Sequence, residues 1–80
     1  MTESWSAPPI GSRISLITDH DIRYVGALVR LNEKEGTVAV KDVRSLGTEG
    51  RKHPGVPMSM DILDRIVFQL KRLKHLATIQ

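Results

Sequence analysis

This 80-residue chain contains no cysteine. Disulfides and thiolate metal sites are therefore excluded, which fits a reducing compartment. Aromatic residues are almost as scarce, with Trp5, Tyr24 and Phe68 the whole complement. The core must then be built from Val, Ile and Leu, which favour a pleated, half-buried surface. No apolar run approaches the length of a membrane span, so no membrane partner is expected. Met1 to Ala7 lacks the basic segment followed by an apolar one that marks a secretory signal. What remains is one domain near the lower size limit for a self-sufficient core.

Catalytic and metal constellations are missing as well. His20, His53 and His75 are scattered. His20 stands between Asp19 and Asp21, but three adjacent residues of an exposed turn rarely converge on one ion, so a surface turn is the better reading. Ser12 and Ser45 have no paired base nearby in sequence, and Asp61 and Asp64 read as a solvated pair or a local cap. No glycine loop of the phosphate-cradling type is present. No catalytic residue, cofactor site or metal site is expected.

What is present is a run of strand signals. Met1 to Pro9 reads as a flexible lead-in, with Pro8 and Pro9 too close to the first strand for an amphipathic helix to precede it. Arg13 to Ile17 alternates polar and apolar residues, as a half-buried strand does. Thr18 to Asp21 is a turn cluster. Arg23 to Leu31 is a second strand, with Tyr24, Gly26, Leu28 and Arg30 on one face and Val25, Ala27, Val29 and Leu31 on the other. Gly26 in mid-strand suits a sharp bend or the close approach of another backbone. Asn32 to Gly36 forms a hairpin loop. Thr37 to Arg44 is a third strand, with Val38, Val40 and Asp42 opposite Ala39, Lys41 and Val43. Leu46 to Met60 is a long loop, and such loops in compact domains are usually functional or disordered.

The last twenty residues admit two readings. Ile62, Leu63, Ile66, Val67, Leu70, Leu73 and Ala77 fall near helical spacing, so Asp61 to His75 suits an amphipathic helix. Phe68 breaks that pattern. The alternative is a strand from Asp64 to Leu70, a tight turn at Lys71-Arg72, and a last strand from Lys74 to Ile79.

Three segments carry a resemblance that runs in register from Ile10 to Leu76: Gly11 to Ile17, Asp21 to Gly26, and Val43 to Arg51 (Val-Arg-Ser-Leu-Gly-Thr-Glu-Gly-Arg). Together they resemble the Lsm domain of Trailer-hitch-type translational repressors and decapping activators. The resemblance implies an all-β fold of Sm type: a small open barrel of five strongly bent antiparallel strands over residues 10–80, without an N-terminal helix. It favours the two-strand reading of the C-terminal segment.

The same resemblance implies a monomeric, non-enzymatic docking module of cytoplasmic mRNA repression and decapping, found in granules of the P-body type. Its expected partners are short leucine-rich peptide segments of decapping and translational-control proteins. Candidate anchors are Tyr24, Val40, Leu46, Ile66 and Phe68, against the plainer reading that most of them are core. Arg44, Glu49 and Arg51 would rim such a site, or else hold the long loop through a Glu49 bond to Arg44 or Arg51.

The other reading is an RNA-binding subunit of an Sm-like ring. Ring members use an Asp and an Asn in the loop after the second strand, where this chain has Asn32 and Gly36. They also use an Arg-Gly pair after the fourth, where it reads Phe68-Gln69-Leu70-Lys71-Arg72. With those readers gone, the expected contact with mRNA is weak and nonspecific, through Lys71, Arg72 and Lys74. An unrelated SH3-like barrel is a third reading. The net charge of +3 is compatible with all three.

Overall fold

A computed structural model describes residues 8–79, so the expected lead-in up to Ala7, with Trp5, lies outside the described residues. Five strands form one antiparallel sheet: β1 (Arg13–Thr18), β2 (Arg23–Asn32), β3 (Thr37–Gly47), β4 (Leu63–Gln69) and β5 (Leu73–Thr78). The only helical turn among the described residues is a 3₁₀ turn, Leu70–Arg72. The order across the sheet is β4-β3-β2-β1-β5. The two edge strands are therefore neighbours in sequence, joined by that short turn. The connection is possible only because the sheet curls until its edges meet at one end, which makes the open barrel.

Curling follows from three irregularities between β2 and β3. From Val25↔Arg44 to Ala27↔Lys41, β3 uses one residue more than β2; from Arg23↔Gly47 to Tyr24↔Ser45 it does so again. From Leu28↔Val40 to Arg30↔Ala39 the extra residue is on β2. Each bulge bends its strand and raises the local twist. Asp42 has φ 51° at the first of them. A short polar side chain tolerates this left-handed backbone better than a β-branched one would.

The bulges correct the simple alternation expected for both strands. Asp42, expected on the face of Val38 and Val40, is exposed. Val43 instead joins Ile14, Leu16, Leu28, Val38 and Val40 in the fully buried core. On β2 the face is exchanged after Val29, so that Leu31 packs on the core and Arg30 is exposed. Strand β3 also runs three residues beyond Arg44, so the long loop starts at Thr48 rather than Leu46.

The C-terminal segment is two strands, not a helix. Phe68 pairs with Val38 and Ile66 with Val40, so both turn toward the core at a period of two, while Val67 between them is exposed. Period two accounts for Phe68, which helical spacing cannot place. Tyr24 tilts against it, with ring centroids 5.1 Å apart at 53°.

At Gly26 the two strands cross closely. A Cβ there would lie 2.6 Å from Val40 Cγ1 and 2.7 Å from the Lys41 carbonyl oxygen. Gly26→Ala is expected to destabilise the domain by about 1–3 kcal/mol through overpacking, read as a lower urea midpoint. An unchanged midpoint would contradict so close a crossing.

Candidate functional site

The long loop is built around one side chain, Thr48, which is 2% exposed. Its backbone N–H donates to the Val56 carbonyl at 2.9 Å, and its hydroxyl oxygen accepts from the Val56 N–H at 2.9 Å. Its carbonyl accepts from Arg51 N–H at 2.8 Å. A side chain capable of both donating and accepting thus stands in for a missing strand partner. Gly47, at φ 72°, leaves room for the returning chain: a Cβ there would run into the carbonyl groups of Val56 and Pro57. Further on, Ser59 N–H donates to the Ser45 carbonyl at 2.9 Å.

A charged clamp secures the other side. Glu49 Oε1 accepts from Arg51 Nη1 at 2.7 Å and from Arg23 Nε at 2.8 Å. Arg23 also donates to Ser15 Oγ at 2.7 Å, and Arg51 to the carbonyls of Gly47 and Asp21, both at 3.2 Å. The hydrogen bond from Arg51, joined by that from Arg23, holds the Glu49 carboxyl below its ordinary value of 4.5. Of the two partners expected for Glu49, Arg44 and Arg51, it takes Arg51. Its second partner is Arg23 of β2, which sequence spacing does not suggest. Arg44 instead donates to the Ser59 carbonyl and to Met60 Sδ, both at 3.3 Å. It makes no ion pair among the described residues.

Between these fixtures the loop presents an apolar stripe. Val56, Met58, Met60 and Ile62 occupy alternate positions of the segment leading into β4, all four exposed, Met60 to 77%. Leu63, at the start of β4, is exposed as well, whereas the exposed Val67 lies beside Ala39 and Arg30 on the outward face of the sheet. Leu46 lines a shallow groove of about 460 Å³ with Val56, Pro57 and Met58 on one side and Glu49 and Gly50 on the other. The arrangement offers apolar area with a cation, Arg44, beside it.

The expected site residues divide accordingly. Arg44, Leu46, Glu49 and Arg51 are brought together around this loop. Val40 is 1% exposed and belongs to the core, so it is no surface anchor. Tyr24, Ile66 and Phe68 are half-buried and packed on that core. Of the expected RNA contacts, Arg72 is paired with Asp19 at 3.3 Å and Lys74 with Asp21 at 2.7 Å, whereas Lys71 is exposed. The Lys74 hydrogen bond lowers the Asp21 carboxyl below its ordinary value. Asn32 Oδ1 accepts from Glu35 N–H at 3.0 Å, a turn-forming use of the side chain. Sequence reasoning misses Thr48, Arg23, Met58 and Met60 as parts of the site. The alternation of apolar residues through 56, 58, 60 and 62 is the available signal for the stripe.

Comparison with known proteins agrees with this architecture. A family model described as the Scd6-like Sm domain matches residues 8–80. The chain is 50% identical over 70 residues to Protein sum2 of Schizosaccharomyces pombe, covering 84% of this chain and 16% of that protein. It is 46% identical over 69 residues to Decapping 5-like protein of Arabidopsis thaliana, with 84% and 12% covered. It is 41% identical over 70 residues to Protein LSM14 homolog car-1 of Caenorhabditis elegans, with 86% and 21% covered. The chain therefore spans about a fifth or less of the length of these relatives.

The clamp makes a pH prediction. A carboxyl held below its ordinary value contributes stability that is present above pH 4.5 and is lost as pH falls through its lowered folded value. Glu49→Gln is expected to cost about 1 kcal/mol or less at neutral pH, because the side chain is 38% exposed and solvent screens it. It should also flatten the loss of stability on acidification below about pH 5. Thermal melts across this range check it, and an acid limb of unchanged steepness would contradict the clamp.

Proposed function

The chain belongs to the Scd6-like Sm domain family, and on that footing we propose that it is a non-enzymatic interaction domain of cytoplasmic mRNA repression and decapping, residing in granules of the P-body type. Its role in this reading is to dock short leucine-rich segments of decapping and translational-control proteins. The names of two relatives, Decapping 5-like protein and Protein decapping 5, support the process. The observation that carries the docking role is the stripe of Val56, Met58, Met60 and Ile62, exposed beside the groove of Leu46.

The backbone of this segment is tied at Val56 and Ser59, while its apolar side chains remain about half or more exposed. Covering them gains about 25 cal/mol per Å² of apolar surface. A segment with leucines at helical spacing presents a matching apolar face. Arg44 is positioned to pair with an acidic residue flanking the leucines, an arrangement that sets orientation more than affinity. Glu49 and Arg51 rim the other side, where they keep the loop in shape.

The domain acts as a monomer in this reading. Closing a ring would join the β4 edge of one copy to the β5 edge of the next. Lys74 and His75 stand exposed on β5 and Arg65 on β4, and charged side chains at strand edges oppose such pairing.

Two outcomes follow. Met58→Asp combined with Met60→Asp should weaken a leucine-rich peptide by roughly tenfold or more, equivalent to about 1.4 kcal/mol. The melting temperature should hardly change, because both side chains are more than half exposed. Calorimetric titration measures the first, and undiminished binding by the folded variant would remove the stripe from the site. Sedimentation equilibrium at micromolar concentration should return a mass near 9.0 kDa; a several-fold larger particle would favour the ring.

A further inference from the structure

We propose that the outward face of the sheet binds the phosphate backbone of single-stranded RNA through Arg13, Arg30, Lys41 and Arg65. Cross-strand register places these residues together. Arg13 pairs with Ala27, Ala27 with Lys41, and Lys41 with Arg65, one row across four strands. In the adjacent row Arg30 pairs with Ala39 and Ala39 with Val67. Side chains paired in this way share a face. The core side of the same strands carries Ile14, Leu28, Val40 and Ile66, so the four cations point away from it.

All four are exposed, and none makes an ion pair among the described residues. Three carboxylates border the row without closing an ion pair: Asp64, Glu35 and the exposed Asp42 next to Lys41. Lys41 stands directly opposite Arg65, with Cβ atoms about 5 Å apart as in any cross-strand pair, and like charges so placed oppose folding. Arg72 and Lys74, by contrast, are answered by Asp19 and Asp21. A row of uncompensated cations costs stability alone and gains it when a polyanion neutralises it. Arginine forks match phosphate oxygens. Ala27, Ala39 and Thr37 lie between the cations, with the exposed Val67 beside Ala39. Two clefts adjoin them, of about 410 and 190 Å³, and cations of the row line both: Lys41 and Arg65 the first, Arg30 and Arg65 the second. With no aromatic side chain in these rows, binding of a phosphate backbone here is indifferent to base identity. This site is independent of the docking reading.

The test is fluorescence anisotropy with a mixed-sequence RNA of about 12 nucleotides, titrated from about 50 to 200 mM salt. The variants are Lys41→Gln with Arg65→Gln, and, as a control, Lys71→Gln with Lys74→Gln. The sheet variant should bind roughly tenfold or more weakly at low salt, with a salt slope flatter by about 1.4, or about 0.7 for each phosphate left without its cation. Its urea midpoint should equal or exceed that of the wild type, since a like-charge pair is relieved. The control should stay within roughly twofold of wild type, because its two lysines lie outside the row and neutralise no phosphate there. The proposal is overturned if wild-type protein does not bind, if the sheet variant binds as wild type, or if the control is weakened as much. A fall in the sheet variant's stability, which would make the two cations structural, overturns it too, as does tighter binding of a glutamate-rich peptide in a parallel titration.

Discussion

Where β2 crosses β3, the absence of a side chain at Gly26 lets Val40 Cγ1 and the Lys41 carbonyl come within 2.6 and 2.7 Å of where a Cβ would be. One residue later in β3, Asp42 takes a left-handed backbone and the strand bulges. These two features reverse the faces of β3, so that Val43 fills the core beside Val40 while Arg44 emerges on the other side. They also bend the sheet far enough for β4 and β5, its two edges, to be joined by a single short turn. The core, the launch of the long loop and the outward row of cations all depend on that bend.

The loop is held by polar means because it has no strand to pair with. Thr48 ties Val56, Ser45 ties Ser59, and Glu49 draws Arg23 and Arg51 together. These contacts hold the backbone, and Val56, Met58, Met60 and Ile62 keep between 44% and 77% of their surface exposed. Among the described residues six apolar side chains form the fully buried cluster, so a domain of this size has little stability to spare. Exposed apolar area in such a domain is best explained by what it meets. A clamp of partly exposed ion pairs adds modestly to stability, yet it sets the shape of the groove beside Leu46.

Much of the fold is legible in the sequence because alternation in Arg13 to Ile17, Arg23 to Leu31 and Thr37 to Arg44 is a direct imprint of pleated strands. The C-terminal segment is ambiguous because Ile66 and Leu70 suit either period, and only pairing of Phe68 with Val38 decides between them. The bulges are not legible: Asp42 reads as an ordinary member of the alternation until its partner strand is known. The site is legible in part. The Arg44 to Arg51 segment does gather around one loop, but Val40 is core. Spacing along the chain does not show which charges are paired. Arg72 and Lys74 meet carboxylates from a distant turn, while Arg13, Arg30, Lys41 and Arg65, spread over four strands, share one face.

In the proposed reading the bent sheet separates two binding surfaces, an apolar one on the loop after β3 and a cationic one on the outward face. Backbone amide shift mapping decides it, with a leucine-rich peptide and single-stranded RNA titrated separately and then together. Peptide shifts should be confined to Leu46 to Leu63 and RNA shifts centred on Arg13, Arg30, Lys41 and Arg65, with both ligands bound at once. Overlapping footprints, or displacement of one ligand by the other, would contradict it.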